Sequence, residues 1–448
     1  MSTDSNPPSL PVTPPASTAG NEAEVILQQS ADAIACEIFC AVVDNFGDIG
    51  VCWRLARQLA AEHGWQVRLF VDDLHAFQRL CPAVDPARVR QQVDGLIVEH
   101  WHTPAHAGDT LTVADVVIEA FACELPPIYL AAMAQRERVP VWFNLDYLSG
   151  EDWVAEFHLR PSPHPRYPLV KHFFFPGLGP GTGGVLKERT LDATRDAFDA
   201  SSTERAQWWQ SVTSDAPPSR DAIVVSLFAY ENPAVDGLLA QWRDGDQPVV
   251  LLVPEGRISG AVARFFGRPS FKAGEHAAAG SLRAHALAFT DQAGYDRLLW
   301  ASDFNFVRGE DSFVRAQWAA RPFVWHIYPQ ADEAHLPKLD AALAHYAGCA
   351  ARDSVDHSAD DLTAGSSGLT GADPTAVPAG RLAPDAAAAL ERFWHAWNAA
   401  RPGAAPDWAD LLRHRAALEA RARDWARELA MVGDLAGNLA GFAKTQLK

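Results

Sequence analysis

The chain has 448 residues, 48% of them apolar, with 38 Lys and Arg against 56 Asp and Glu for a formal net charge of -18. That length gives room for two or three domains with real cores. The acidity argues against nonspecific nucleic-acid binding, whose affinity is supplied by cations that neutralise phosphates.

The N-terminus, from Asn6-Pro7-Pro8-Ser9-Leu10-Pro11 onward, is rich in Pro, Ser and Thr and lacks a basic region followed by an apolar one. Residues 1–31 are therefore expected to be a disordered extension, neither signal peptide nor anchor. From residue 34 onward, short β-rich runs alternate with helical patterns, the sign of stacked βαβ units on a parallel sheet. The expected strands are 34–43, 66–71, 96–100, 116–120 and 140–145, within an N-terminal domain spanning 32–215. The glycine-rich stretch from Phe173 to Gly184 is expected to be a loop or an interdomain connection. A second alternating series predicts strands at 222–229, 249–253, 286–290, 303–307 and 323–327, in a C-terminal domain over 216–400. Residues 353–381 have the composition of a flexible insertion. The Ala-, Leu- and Arg-rich remainder, including 401–448, is expected to be helical. No run is long and apolar enough to span a bilayer. Cys36, Cys40, Cys52, Cys81, Cys123 and Cys349 lack metal-binding spacing and suit reduced core thiols of a cytoplasmic protein.

Two turns stand out. The first, Val42-Val43-Asp44-Asn45-Phe46-Gly47-Asp48-Ile49-Gly50, joins a buried strand to a helix whose inner face carries Cys52, Leu55, Ala56 and Leu59. Ligands of open α/β sheets bind at such junctions, beyond the carboxyl ends of the strands. Two carboxylates there would repel a phosphate and suit a cationic partner or a proton to be removed. On residue type alone, the plainer reading is that Asp48 caps the helix and Asp44 stabilises the turn. The second turn, Asp303 to Trp318, again ends a strand in a polar glycine turn, with Ser312 expected to cap the next helix. Its helix N-terminus offers N–H groups to an anion, Arg308 adds a positive charge, and Glu310 and Asp311 suit hydroxyls or serve as first-turn acids. Trp142, Trp300, Trp318 and Trp325 read as core, and His326 as a satisfied buried histidine. The Gly181–Gly184 loop before Lys187 reads first as a hinge, since it lacks a phosphate-loop pattern, a reading compatible with a contact to phosphates.

The first turn, continued through Val51-Cys52-Trp53-Arg54-Leu55-Ala56-Arg57-Gln58-Leu59, resembles the opening of the EarP family, protein-arginine rhamnosyltransferases that mature bacterial elongation factor P. Further matches follow in order. They are Glu119-Ala120-Phe121-Ala122-Cys123-Glu124-Leu125-Pro126, Trp142 to Ser149, Ser226 to Asn232, Tyr295 to Trp300, the Arg308 block and Phe323 to Gln330. The resemblance implies a GT-B glycosyltransferase, two facing Rossmann-like domains with a cleft between them. It implies transfer of L-rhamnose from dTDP-β-L-rhamnose to an arginine of elongation factor P, with inversion. No cofactor, metal, nucleic acid or membrane is expected to take part.

By this resemblance Asp48 is the general base, Asp44 its companion, and Glu310 is linked to catalysis. Asn45, Phe46 and Gly47 belong to the same turn. Phe228 and Tyr230 line the donor site, Phe289 and Gln292 contact thymine, and Arg308, Asp311 and Ser312 form the donor-binding turn. The alternatives are a GT-B transferase or epimerase acting on a small-molecule sugar nucleotide, or a catalytically silent binding protein.

Overall fold

Two parallel-rich sheets, each flanked by helices, make up the protein. The computed structural model describes residues 33–43, 46–101, 112–330, 333–348, 380–399 and 405–448. The expected extension over 1–31, nearly all of the 353–381 insertion, Asp44 and Asn45 lie outside the described residues.

The first sheet begins with β1 (Ala35–Cys40), followed by α1 (Gly47–His63), β2 (Gln66–Val71), α2 (Leu74–Leu80) and the pair β3 (Arg90–Val93) and β4 (Leu96–His100). It is completed by β5 (Val116–Ala120), α3 (Pro127–Gln135), β6 (Val141–Leu145), α4 (Trp153–Phe157), β7 (Pro161–Pro163) and β8 (Val170–Phe174). Its order is β3-β4-β2-β1-β5-β6-β8-β7, and the edge strands β3 and β7 pair antiparallel. Helices α5 (Leu191–Ala200) and α6 (Ser202–Thr213) lead into the second sheet. There follow β9 (Ile223–Leu227), α7 (Val235–Asp244), β10 (Val249–Pro254), α8 (Ser259–Phe265), β11 (His276–Ala279) and β12 (Leu282–Leu287). Then come α9 (Gln292–Ala301), β13 (Phe304–Arg308), α10 (Asp311–Trp318) and β14 (Phe323–His326), in the sheet order β11-β12-β10-β9-β13-β14. The chain ends in α11 (Leu336–Ala347), α12 (Pro384–Asn398), α13 (Trp408–Arg413), α14 (Arg415–Val432) and α15 (Leu435–Gln446).

Every residue of β5, β6, β9, β10, β13 and β14 is buried, as in parallel strands covered on both faces. The strand order reverses at β1/β5 in one sheet and at β9/β13 in the other. Both singled-out turns therefore leave the sheets at topological switch points, where a crevice opens.

Some expected boundaries move. The first strand stops at Cys40 rather than 43, because carboxylates take the next backbone donors: Val42 N–H donates to Asp72 (2.8 Å) and Val43 N–H to Asp48 (2.8 Å). Phe173 and Phe174 belong to β8, parallel to β6, so the expected loop begins after them. The strand expected at 286–290 is β12, earlier by several residues and paired with β10 from Val249↔Leu282. The edge strands β3 and β7 are short and polar, and β11 is a short alanine run without β-branched or aromatic residues, so none has a pattern that would reveal it.

The last helix returns to the first sheet. Asp434 caps α15, accepts from Gln58 of α1 at 2.9 Å, and pairs through an isolated bridge with Val185, while Phe442 lies 5.7 Å from Phe143. Lys187 pairs with Asp192 at 2.5 Å and lies over Trp318, so the glycine loop before it joins the packing against Gly433. Trp142, Trp300, Trp318 and Trp325 are core residues, as expected. No described helix is long and apolar enough to cross a membrane.

Candidate active site

Helix α1 starts at Gly47 with Phe46 at its N-cap and no side-chain cap. Asp48 is fully buried, and its Oδ2 turns back to accept the Val43 N–H. The plain capping role is thus not realised. The carboxylate closes the approach to the helix instead, at the positive end of the helix dipole, where an ionised acid is stabilised.

The second turn is braced on all sides. Gly309 adopts φ 60°, a left-handed conformation suited to glycine, and its carbonyl accepts from Trp325 Nε1 at 3.0 Å. The guanidinium of Arg308 lies 4.6 Å from the ring centres of both Phe228 and Tyr230, within cation–π range. Ser312 Oγ accepts from the Arg308 N–H at 3.0 Å and donates to the Arg308 carbonyl. The expected cap by Ser312 does not form: Glu310 is the N-cap of α10 and makes no capping bond, because the Ser312 hydroxyl is spent closing the turn. Burial pushes the His326 imidazole down to about 3, helped by the charges of Arg308 and His335. Among the described residues its Nδ1 has no hydrogen-bond partner, so the histidine is buried as expected but not fully satisfied.

The two turns meet. Phe46, Gly47, Phe228, Phe289, Gln292, Arg308, Asp311 and Ser312, all expected site residues, line one cleft together with Tyr295 and Asp291. Tyr230 stands behind Arg308. Phe46 and Phe289 approach across the cleft with ring centres 5.0 Å apart, and Arg79 lies over both. Gln292 Nε2 donates to the Gly50 carbonyl at 2.9 Å. A carbonyl can only accept, so the amide orientation is fixed, and Gln292 Oε1 is a buried acceptor with no partner among the described residues.

Below the cleft lies a buried ion cluster that the sequence did not reveal. Arg54 of α1 donates to Asp311 (2.8 Å), Asp296 (3.3 Å) and Glu188 (3.3 Å). Arg315 of α10 holds Asp296 at 2.7 Å and Glu188 at 2.5 Å. Burial alone would lower the Arg54 pKa, but Asp296, Asp311 and Glu188 more than reverse that and keep it charged. Burial likewise would raise Glu188, yet Arg315 and Arg54 bring it down to about 2. Asp311, expected to face the donor, is thereby tied to the first-sheet helix. Gly50 allows the approach, since a Cβ there would lie 3.2 Å from the Asp311 Cβ.

On the other side of Asp311 a second hollow is lined by Phe121, Asp146, Leu148 and Glu310. Phe121, Ala122 and Glu124 have φ of 55°, 53° and 55°, each costing about 1–3 kcal/mol and persisting only where the surroundings enforce it. Phe121 stacks on Tyr147 at 4.4 Å. Lys338 of α11 pairs with Glu310 at 2.9 Å. Among the described residues Glu62, His63 and Asp434 bring three potential metal-ligand atoms together, at the far end of α1 from Asp48. Their carboxylates already accept from Arg189 N–H (2.7 Å), Gln58 (3.0 Å) and Gly437 N–H (2.7 Å), and they serve as ties and a cap.

Arg54, Glu188, Asp296, Arg315 and Lys338 have partners 19 to 257 positions away or across a turn, so their spacing in sequence carries no signal. The one available hint is a charge inside a helix face, Trp53-Arg54-Leu55, where an apolar residue would otherwise pack.

Comparisons with known proteins agree on one family. The family model described as elongation-factor P (EF-P) rhamnosyltransferase EarP matches residues 36–365 and 376–444. A protein-arginine rhamnosyltransferase of Pseudomonas putida is 45% identical over 412 residues, covering 92% of this chain and 99% of that protein. One from Pseudomonas aeruginosa is 45% identical over 406 residues, covering 91% and 98%. A solved structure described as the structural basis for EarP-mediated arginine glycosylation of translation elongation factor EF-P is 32% identical with a TM-score of 0.60, covering 92% of this chain and 99% of that one.

Proposed function

The chain belongs to the EarP family and is a protein-arginine rhamnosyltransferase of the GT-B fold, and from that premise we propose its substrates and the roles of its residues. The donor is dTDP-β-L-rhamnose and the acceptor an arginine side chain of elongation factor P, with inversion at the anomeric carbon. The observation that carries this reading is that Phe46 and Gly47, next to the buried Asp48, and the Arg308–Ser312 turn line a single cleft from opposite sheets.

A guanidinium is a poor nucleophile at neutral pH, because its pKa exceeds about 12 and its nitrogen lone pairs are delocalised. A carboxylate bonded to one guanidinium nitrogen holds the group against the anomeric carbon and accepts its proton as the C–N bond forms. Asp48 takes that role, its orientation held by the Val43 N–H, with Asp44 orienting the same group. The diphosphate leaves as an anion towards the uncapped amino end of α10 and Arg308, fixed positive groups that need no reorganisation. Gln292 Oε1 suits the imide N–H of thymine, with Phe289 and Phe46 beside the ring. Glu310 acts at the boundary of the cleft and the second hollow. No step calls for a metal or other cofactor, and the setting is cytoplasmic.

Incubation with purified elongation factor P and dTDP-β-L-rhamnose, followed by intact-mass and peptide mass spectrometry, tests this directly. The expected result is one rhamnosyl addition on one arginine. A folded enzyme that binds dTDP yet leaves the factor unmodified, while glycosylating a small-molecule acceptor, would overturn it.

A further inference from the structure

Glu310 stands at the N-cap of α10, in a hollow whose other wall is the loop after β6 and the segment after β5. Its Oε1 accepts from Lys338 Nζ at 2.9 Å, and both side chains are largely buried, 14% and 20% exposed. The same ammonium lies 5.6 Å from the ring centre of Tyr147, which comes from the opposite sheet. Tyr147 is itself stacked on Phe121, held at positive φ, so that wall is built to one geometry. Beside it, burial raises the Asp146 carboxyl above its ordinary range, against the Tyr147 N–H and the Lys338 charge. Lys338 thus has a carboxylate on its own side of the cleft and an aromatic face on the other.

We infer that Lys338 is a positioning residue of the transfer reaction: it fixes Glu310 at the lip of α10 and, through the Tyr147 ring, ties that carboxylate to the opposite wall of the closed cleft. This rests on the reading of the cleft as the transfer site. An ammonium on a flexible four-carbon stem serves as a compact point charge, and a cation held by both a carboxylate and an aromatic face loses one partner whenever the walls separate. Glu310 is therefore held in one orientation, in the hollow beside the cleft, when both walls are present to hold its counter-ion. Positioning of this kind shows up in turnover rather than in ground-state binding.

The test compares the parent enzyme with Lys338→Met, Lys338→Arg, Tyr147→Leu and the double variant Lys338→Met/Tyr147→Leu. Each is assayed for rhamnosyl transfer to elongation factor P with both substrates varied, and for dTDP binding by calorimetry. Lys338→Met is expected to lower kcat at least about tenfold, leave the dTDP Kd within about threefold, and be largely rescued by Lys338→Arg. Tyr147→Leu is expected to lower kcat less, and the double variant to be no worse than Lys338→Met alone, which a merely structural lysine would not produce. Parent-like kcat in Lys338→Met overturns the inference, as do additive losses in the double variant. A parent enzyme that does not transfer at all overturns instead the proposed function on which it rests.

Discussion

The two strand-to-helix turns look alike in sequence and are built differently. The turn after β13 is buried and braced. Ser312 closes it, Trp325 bonds its glycine, and Phe228 and Tyr230 hold its arginine. The turn after β1 hangs on two carboxylates that catch successive N–H groups, and it leaves Val43 79% exposed. The difference matches the proposed division of labour. A turn that stabilises departing negative charge is most effective when its dipoles are already in place. A turn that receives a protein side chain must leave its backbone where a partner can reach it, as at Val43, even though the Asp48 carboxylate is itself buried.

The largest effect is expected at the open turn. Asp48→Asn keeps an oxygen for the Val43 N–H but removes the base, so transfer should fall about 10²–10⁴-fold with dTDP affinity retained in calorimetry. Equal loss of dTDP binding would show that the acid supports the donor side instead. Next comes the cluster joining the turns. Arg54→Met leaves Asp296, Asp311 and Glu188 short of a buried counter-charge, and urea unfolding should show a loss of about 3–5 kcal/mol. Gly50→Ala forces a Cβ towards Asp311 and should cost about 1–3 kcal/mol, with kcat falling as α1 is pushed from α10. Arg308→Lys, which gives up the planar fit between Phe228 and Tyr230, should weaken dTDP binding by about 0.5–2 kcal/mol.

The smallest test concerns acid. The folded pKa of His326 is depressed from 6.5 to about 3, so the unfolded chain binds the extra proton and stability is lost as pH falls from 6.5 towards 3. Glu188, depressed from 4.5 to about 2, contributes stability above pH 4.5 that is lost as pH falls through that interval. His326→Gln should flatten the upper part of the curve in thermal melts across pH and leave the lower part. An unchanged slope between 6.5 and 4.5 would assign the acid sensitivity to other groups.

Much of this was legible beforehand. Buried parallel strands are continuous apolar runs, and both glycine turns interrupt such runs where helical periodicity takes over, so the two sheets and the positions of Asp48 and Arg308 followed from pattern. Edge strands such as β7, Pro161–Pro163, could not be read, because a short polar strand at a sheet margin is specified by its neighbour and not by its own residues. Ser312 and Asp48 show the same limit at the scale of one side chain. Both have the composition of a cap, and both hydrogen-bond backwards into the preceding loop, a choice made by the course of the chain before the helix.

By itself, then, the sequence determined the family, the alternating α/β architecture and the two turns that carry the candidate chemistry, since these depend on local periodicity and motif. The tertiary structure alone decided which side chains join the sheets. Arg54 finds Asp311 257 positions away, Gln292 finds the Gly50 carbonyl across 242, and α15 returns to lie against α1. Such partners are selected by burial. A charge or amide removed from water must be met by whatever the fold brings within about 3 Å, and separation along the chain carries no information about which group that will be.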